Sequence, residues 1–331
     1  MKTFDLSKEA KKKIKIQNIR HKLLKGNQSD HLFTVNSISG GRTSAMMAVK
    51  HPADMNIFSL VTTDYPEFYI QDEAIRRYVW NKLDTDLVYA TLESDETIRS
   101  VMELEQYIGK EIIVVCGESL DKIISDRNFL PNARARFCTS EMKIKPIYEF
   151  LKHGYRHYRG TPSVDRYESY LYALGTTFWK SDKPIVRMNI GYRLDDIERV
   201  SSFKETFKYP DSIHTEGRHK GNIKWRTHHW RIGNFPVIKN TQADVISYWE
   251  DKPVSFPEFN NCEFCFHRPI EQLQKQFRER PKKGKFWITM EQRYNATFRS
   301  DLSLQQIKDL PYTETLDFTA QNMCSSGSCT D

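Results

Sequence analysis

No run of twenty apolar residues occurs in the 331-residue chain, so no segment has the length and character of a membrane-crossing helix. The first twenty residues, MKTFDLSKEAKKKIKIQNIR, lack an apolar core leading to a small-residue cleavage site and do not read as a secretory signal. There is no internal repeat, and only the tail MCSSGSCTD resembles a small, polar linker. Cysteine is sparse, with six residues. At this length that argues against a disulfide framework and for metal or redox chemistry. Together these absences predict a cytoplasmic protein.

What is present suits a globular chain. An apolar content of 39% allows one large core or two small ones. The net charge of +7 is concentrated at the start. Residues 1–30 hold nine Lys and Arg (Lys2, Lys8, Lys11, Lys12, Lys13, Lys15, Arg20, Lys22 and Lys25) against Asp5, Glu9 and Asp30. Such a segment reads as an amphipathic helix that packs Ile14, Ile16, Ile19 and Leu23 on the body, or as an arm for nucleic acid or another acidic partner.

Three apolar, β-branched runs follow: HLFTVNSIS, MNIFSLVTTDYP and TDLVYATL. Between them RTSAMMAVKHP and EFYIQDEAIRRYVWNKL have helical character. Strand, helix, strand, helix, strand at this spacing predicts parallel βαβ units with right-handed crossovers. SVMELEQYIG, ESLDKIISDRNFLP and MKIKPIYEFLKHG add helices, and PIVRMNIGYRLDD reads as a strand entering a loop. A later helix in TQADVISYWEDKPV starts from a cap at Asn240 or Thr241. From Ser201 to Phe235 the chain is polar, basic, aromatic and irregular in pattern. The organisation expected is a basic helical arm over 1–30, an α/β nucleotide-binding domain over 31–270, and a C-terminal extension over 271–331.

The first chemistry-bearing stretch is SISGGRTSA, Ser37 to Ala45. A strand that ends in Ser39-Gly40-Gly41, with Thr43 and Ser44 opening a helix, leaves backbone N–H groups at a helix N-terminus. There the helix dipole and the unpaired donors favour an anion. The spacing is not that of a Walker P-loop, and the third glycine of a dinucleotide fingerprint is missing. An ordinary tight strand-to-helix turn is the competing reading.

This stretch resembles the PP-loop of the adenine nucleotide α-hydrolase-like superfamily, which includes ATP pyrophosphatases and phosphoadenosine phosphosulfate (PAPS) reductases. Two further stretches are similar to the PAPS reductase branch: RFCTSEMKIKP, Arg136 to Pro146, and NIGYRLDDIER, Asn189 to Arg199. The resemblance spans about residues 33–270 and implies a three-layer, Rossmann-like fold with a parallel sheet. It implies an adenine nucleotide, ATP with Mg2+ or a PAPS-type sulfonucleotide, at Ser39, Gly40, Gly41, Arg42, Thr43 and Ser44 with Arg136 and Gly191. Thr43 stands where many ATP pyrophosphatases carry Asp. Lys143, Arg193 and Arg199 supply lasting positive charge for a phosphate or sulfate clamp. Taken singly, each such cation would ordinarily be a surface ion-pair residue.

Cys262 and Cys265 form C-x-x-C, a spacing that lets two thiolates grip one metal centre. With Cys138 from the RFCTSEMKIKP motif they make three ligands for a [4Fe–4S] cluster, which the resemblance also implies. With His267 the same cysteines make a Cys3His zinc site, and a metal-free turn is a third reading. Cys116, within IIVVCGE, reads as a small buried hydrophobe. Cys324 and Cys329 lie in the tail, where the related reductases carry a nucleophilic cysteine. Here they read as a reactive pair or as an inert tail.

HTEGRHKGNIKWRTHHWRIGN interleaves Arg218, Lys220, Lys224, Arg226 and Arg231 with His228, His229, Trp225 and Trp230, and KQFRERPKKGKFW adds a second basic cluster. These read as solvated loops or as a surface for tRNA or DNA. Three functions remain. The first is an ATP-activating sulfurtransferase with a nucleic-acid acceptor and a sulfur-donor protein. The second is a sulfonucleotide reductase with an electron-donor protein. The third is a non-catalytic nucleic-acid-binding accessory protein.

Overall fold

The computed structural model describes residues 33–153 and 186–312, apart from Ser202, Lys204, Glu205, His214, Asn222, Trp230, Asn260 and Asn261. The expected basic arm over 1–30, Cys324 and Cys329 lie outside these residues. The first half runs β1 (Phe33–Ile38), α1 (Arg42–Lys50), β2 (Met55–Leu60), α2 (Glu73–Leu83), α3 (Asp95–Ile108), β3 (Ile112–Cys116) and α4 (Leu120–Arg127). Next come the helical turn α5 (Phe137–Thr139), a π-helical segment (Ser140–Ile144), α6 (Lys145–His153), β4 (Val186–Asn189) and α7 (Ile197–Ser201). The remainder is β5 (Thr206–Ile213), β6 (Ile223–His229), β7 (Arg231–Asn234), α8 (Gln242–Trp249), α9 (Ile270–Glu279), α10 (Pro281–Tyr294) and α11 (Leu304–Asp309).

Five strands form one sheet in the order β3-β2-β1-β4-β7, every neighbouring pair parallel. β2 and β3 are fully buried along their length, as strands covered on both faces must be. Alternation sorts their side chains between two cores. Ile57, Ile113 and Val115 pack with Val35, Met188 and the α6 residues Ile147, Tyr148 and Leu151. Phe58, Leu60, Ile112 and Val114 pack with α1, α2, α3 and α8 through Met46, Val79, Val101 and Trp249. Helices on both faces of a parallel sheet make this an α/β fold of Rossmann-like type.

β1 sits at the centre of the sheet. The chain winds outward from it through β2 to β3, then returns to place β4 and β7 on its other side. Winding therefore reverses between β1 and β4, the position in an open α/β sheet outside whose carboxyl edge ligands bind.

One polar feature crosses the sheet. Asn56, Asn36, Asn189 and Asn234 occupy paired positions on β2, β1, β4 and β7. Asn234 Nδ2 donates to Asn189 Oδ1 at 2.7 Å, Asn189 Nδ2 to Asn36 Oδ1 at 2.8 Å, and Asn36 Nδ2 to Asn56 Oδ1 at 3.0 Å. Asn36 also donates to His51 O at 3.1 Å. The paired amides satisfy one another, with Asn36, Asn56 and Asn189 buried, and a slip of one residue at any strand pair would orphan several of them.

Two expectations differ from the structure. TDLVYATL is not the third strand; it forms the isolated bridges Tyr69–Ala90 and Thr62–Thr91 rather than a ladder, and Ile112–Cys116 takes the third place. Five consecutive buried apolar residues suit a strand covered on both faces, whereas Leu87 and Tyr89 stay exposed. The stretch from Ser201 to Phe235 is not irregular throughout. It contains the antiparallel pair β5–β6, with a register shift between Pro210 and Ser212, and then β7. Proline is tolerated there because a bulge leaves its missing N–H without consequence for the ladder.

A third core lies at the carboxyl edge. Phe277, Phe286, Trp287, Ile288 and Leu304, from the three C-terminal helices, share it with Val61 after β2, Leu120 after β3, and Phe137 and Met142 of the helix that follows. Residues beyond 270 therefore pack into the same body as the segments that follow β2 and β3.

Candidate anion-binding crevice

Between β1 and α1 the chain makes a turn held by one hydroxyl. Ser44 Oγ accepts from Ser39 N at 3.1 Å, donates to Gly41 O at 3.0 Å and lies 3.0 Å from Ser39 Oγ. Gly41 is the N-cap of α1, yet no side chain caps that end, and no acidic residue occupies its first turn. The first-turn N–H groups, which have no intrahelical acceptor, therefore lie at the positive end of the helix, at the carboxyl edge of the sheet. α2, α3 and α8 instead carry capping side chains, from Asp72, Ser94 and Thr241.

Neighbouring atoms crowd this turn on two sides. Gly40 adopts φ +74°, and a Cβ there would stand 2.5 Å from Thr97 Cγ2, in the first turn of α3. Gly191, in the loop after β4, comes so close to α1 that a Cβ would stand 3.0 Å from Ser44 N. A side chain would meet Thr97 and a left-handed backbone at Gly40 and the α1 backbone at Gly191, so glycine suits both.

Arg193 joins the two walls. Its Nη1 donates to Thr43 Oγ1 at 2.7 Å, Nη2 lies 3.2 Å from Asp196 Oδ2 and Nε lies 3.5 Å from Asp195 Oδ2. At 4% exposure the guanidinium is a buried brace that fixes Thr43 against the β4 loop. Arg42 turns the other way, its guanidinium 5.3 Å from the Phe256 ring centroid and its carbonyl accepting from Trp249 Nε1 at 2.9 Å. Burial pulls the Arg42 guanidinium below its ordinary value. Arg199 lies on α7, and its side chain is outside the described residues.

The second motif forms one continuous helical stretch with a π-helical segment at its middle. Ser59 Oγ, reaching from β2, donates to Met142 O at 2.8 Å and so engages a carbonyl of the widened turn. Insertions of this kind are frequent at functional sites. Here the π segment carries Lys143, whose Nζ stands 3.8 Å from the buried carboxylate of Glu93. Glu93 directly precedes Ser94, the cap of α3, and α3 is the helix that meets Gly40. Arg136 donates through Nη2 to Thr139 Oγ1 at 3.2 Å, while its Nε is buried without an acceptor among the described residues.

The cysteine turn reaches the same neighbourhood. Cys138 and Cys262 both border the carboxyl-edge core, and Cys265 N donates to Cys262 O at 3.2 Å. Glu263 N donates to Leu92 O at 2.7 Å, next to Glu93. Among the described residues, no three His, Cys, Asp or Glu side chains are grouped as a metal ion would require. Cys116 is buried at the end of β3.

Several members of this site gave no signal in the sequence. Glu93 and Glu263 are ordinary charged residues until the fold pairs the first with Lys143 and the second with Arg280 and Lys283 of the second basic cluster. Asp64 and Asp121 behave likewise. Ser119 Oγ donates to Asp64 at 2.7 Å, Thr63 Oγ1 donates to Asp121 at 2.7 Å, and burial with the adjacent Asp64 charge pushes Asp121 above the usual carboxylate range. The glycines and Ser44, by contrast, stand out in the sequence as a bare turn before a helix. Compared with protein-family models, curated proteins and solved structures, the chain matches none.

Proposed function

We propose that the chain is an adenine-nucleotide-dependent enzyme of the PAPS reductase-like kind, within the adenine nucleotide α-hydrolase-like group, and that its crevice holds the phosphate chain of the nucleotide. The uncapped N-terminus of α1, at the reversal of winding between β1 and β4, is the observation that carries this reading. Amide donors there are fixed before a ligand arrives, so little reorganisation accompanies the development of charge on a phosphoryl oxygen. Arg193 holds Thr43 in place, and Lys143 and Arg136 add positive charge from the helix after β3.

With ATP the reaction is attack by an acceptor on the α-phosphate. A P–O bond forms to the acceptor, the bond to the β-phosphate oxygen breaks, and pyrophosphate leaves with the electron pair. A sulfur nucleophile then displaces AMP from the activated acceptor. The exposed turn between β5 and β6 presents Arg218, His219 and Lys220, which suits a polyanionic acceptor such as tRNA or DNA. A [4Fe–4S] cluster at Cys138, Cys262 and Cys265 belongs to the resemblance.

Product analysis tests the proposal. Incubation with ATP, Mg2+ and either tRNA or duplex DNA is expected to release pyrophosphate and AMP in step with acceptor modification. Sulfite released from PAPS, without pyrophosphate from ATP, would instead identify a sulfonucleotide reductase. Tight, salt-sensitive nucleic-acid binding with neither product would identify a binding protein.

A further inference from the structure

The Cys262–Cys265 turn is built more rigidly than a surface loop requires. The hydrogen bond from Cys265 N to Cys262 O, 3.2 Å, closes a four-residue turn. Such turns bring their end Cα atoms within about 7 Å, overlapping the roughly 4.4–6.8 Å that a disulfide spans. Phe264, third in the turn, has φ +57°, an uncommon conformation for a large side chain. It is held there by its N–H donating to Gln276 Oε1 at 2.8 Å and by Phe277, with ring centroids 4.9 Å apart. Gly284 of α10 leaves room for both rings, since a Cβ there would stand 2.4 Å from Phe277 and 3.0 Å from Phe264.

The turn's other inner residue is clamped as well. The Glu263 side chain is 2% exposed and pairs with Arg280 and with Lys283 Nζ, the latter at 2.5 Å. Its N–H is committed to Leu92 O. Arg268, 3% exposed, donates from Nη2 to Cys262 O at 3.1 Å, and its own N–H donates to Cys265 O at 2.9 Å. Strain held in place by several independent contacts marks functional turns. The two cysteines are also unequal: Cys262 is half-buried, whereas Cys265 is buried.

We propose that Cys262 and Cys265 form a reversible dithiol–disulfide couple that exchanges electrons with an external disulfide of the glutathione or protein type. Cys262 is the entering thiol and Cys265 the resolving one. The Cys262 thiolate attacks one sulfur of the external disulfide, its S–S bond breaks, and one thiolate leaves. The Cys265 thiolate then attacks Cys262 Sγ, displaces the second external thiolate and closes the internal disulfide. Two protons pass to solvent or to the departing thiolates. The external disulfide gains two electrons, and the cysteine pair loses them. Reversal needs only an external dithiol. This inference stands apart from the nucleotide reading.

The full-length chain, equilibrated across a series of reduced and oxidised glutathione mixtures, acid-quenched and alkylated, tests it by mass spectrometry. The segment from Lys252 to Lys275 contains Cys262 and Cys265 and no other cysteine, so it reports on the pair alone. As the buffer becomes oxidising, this segment is expected to lose both alkylation sites together and two hydrogens, with one midpoint. Cys265→Ala is expected to accumulate glutathione on Cys262, and Cys262→Ala to accumulate much less on Cys265. Three results would overturn the proposal: both thiols staying alkylatable throughout, Cys262 linked to Cys138 or a tail cysteine, or both thiols protected by stoichiometric iron or zinc. Equal labelling in the two variants would overturn the assigned order. The wild-type series stands even where a variant fails to fold, and none of these readouts requires nucleotide.

Discussion

At Gly40 a single methyl group would meet two obstacles, Thr97 Cγ2 at 2.5 Å and a backbone φ of +74° that L side chains seldom adopt. Gly40→Ala is therefore expected to cost about 2 kcal/mol or more, measured by urea unfolding. A loss below 0.5 kcal/mol, on the order of an ordinary surface change, would mean that the turn and α3 are not in the close contact described. Arg299 makes a second residue-scale case near the cysteine turn. Its Nη1 donates to Phe266 O and Arg268 O, both at 2.8 Å, while Nε and Nη2 hold Asp301. The Arg299 guanidinium and Leu302 N–H bring Asp301 down to about 2. A carboxylate whose value falls on folding stabilises the native state above its unfolded value and loses that effect as pH falls through the folded value. Asp301→Asn should thus be less stable than wild type at neutral pH, and the two urea midpoints should converge between pH 4 and pH 2. Because Asp301 is 50% exposed, the difference should stay under about 1 kcal/mol. A gap that does not change with pH would show that hydrogen bonding alone, not the charge, matters at this position.

At the scale of elements, the asparagine ladder decides register. Replacing one member leaves neighbouring buried amides without partners, at about 1–3 kcal/mol. Asn36→Leu and Asn189→Leu made together remove a donor and its acceptor, so the double variant should lose less than the sum of the singles. A double-mutant cycle in urea measures the coupling, and strict additivity would sever the rung between β1 and β4. Each of the four strands carries one Asn, in FTVNSI, MNIFSL, VRMN and RIGN, but only the register shows that they meet. β1, β2, α1 and the Thr241 cap of α8 were legible from apolar runs and capping chemistry. The third strand was misplaced because TDLVYATL is as β-branched and aromatic as IIVVC, and periodicity does not reveal which run lies under helices. β5 and β6 were obscured by charge and by Pro210, although IKWRTHH alternates at the period of a strand. The π-helical segment had no visible signature, because the contact from Ser59 to Met142 O spans 83 positions of sequence.

Across the whole molecule, the loops of the parallel strands converge on one edge. The glycine turn, the β4 loop, Lys143 with Glu93, and the cysteine turn occupy that edge, and the C-terminal helices close over part of it through a shared core. The glycine turn and the helix that opens after it were readable from SGGRTS, whereas the acidic partners and the clamp from α10 depend on long-range packing. The central claim is that a nucleotide phosphate chain binds between β1 and β4, and the most direct measurement is calorimetric titration of the full chain with ATP and with PAPS, wild type against Gly191→Ala. A Cβ at Gly191 would press on Ser44 N and Cα, at 3.0 and 3.1 Å, and shift the β4 loop from the amide donors. Saturable binding to wild type, weakened at least about tenfold in the variant, equivalent to about 1.4 kcal/mol, is the result the account predicts, provided the variant keeps its circular dichroism. No binding of either nucleotide to wild type, or equal binding by the two proteins, would contradict it.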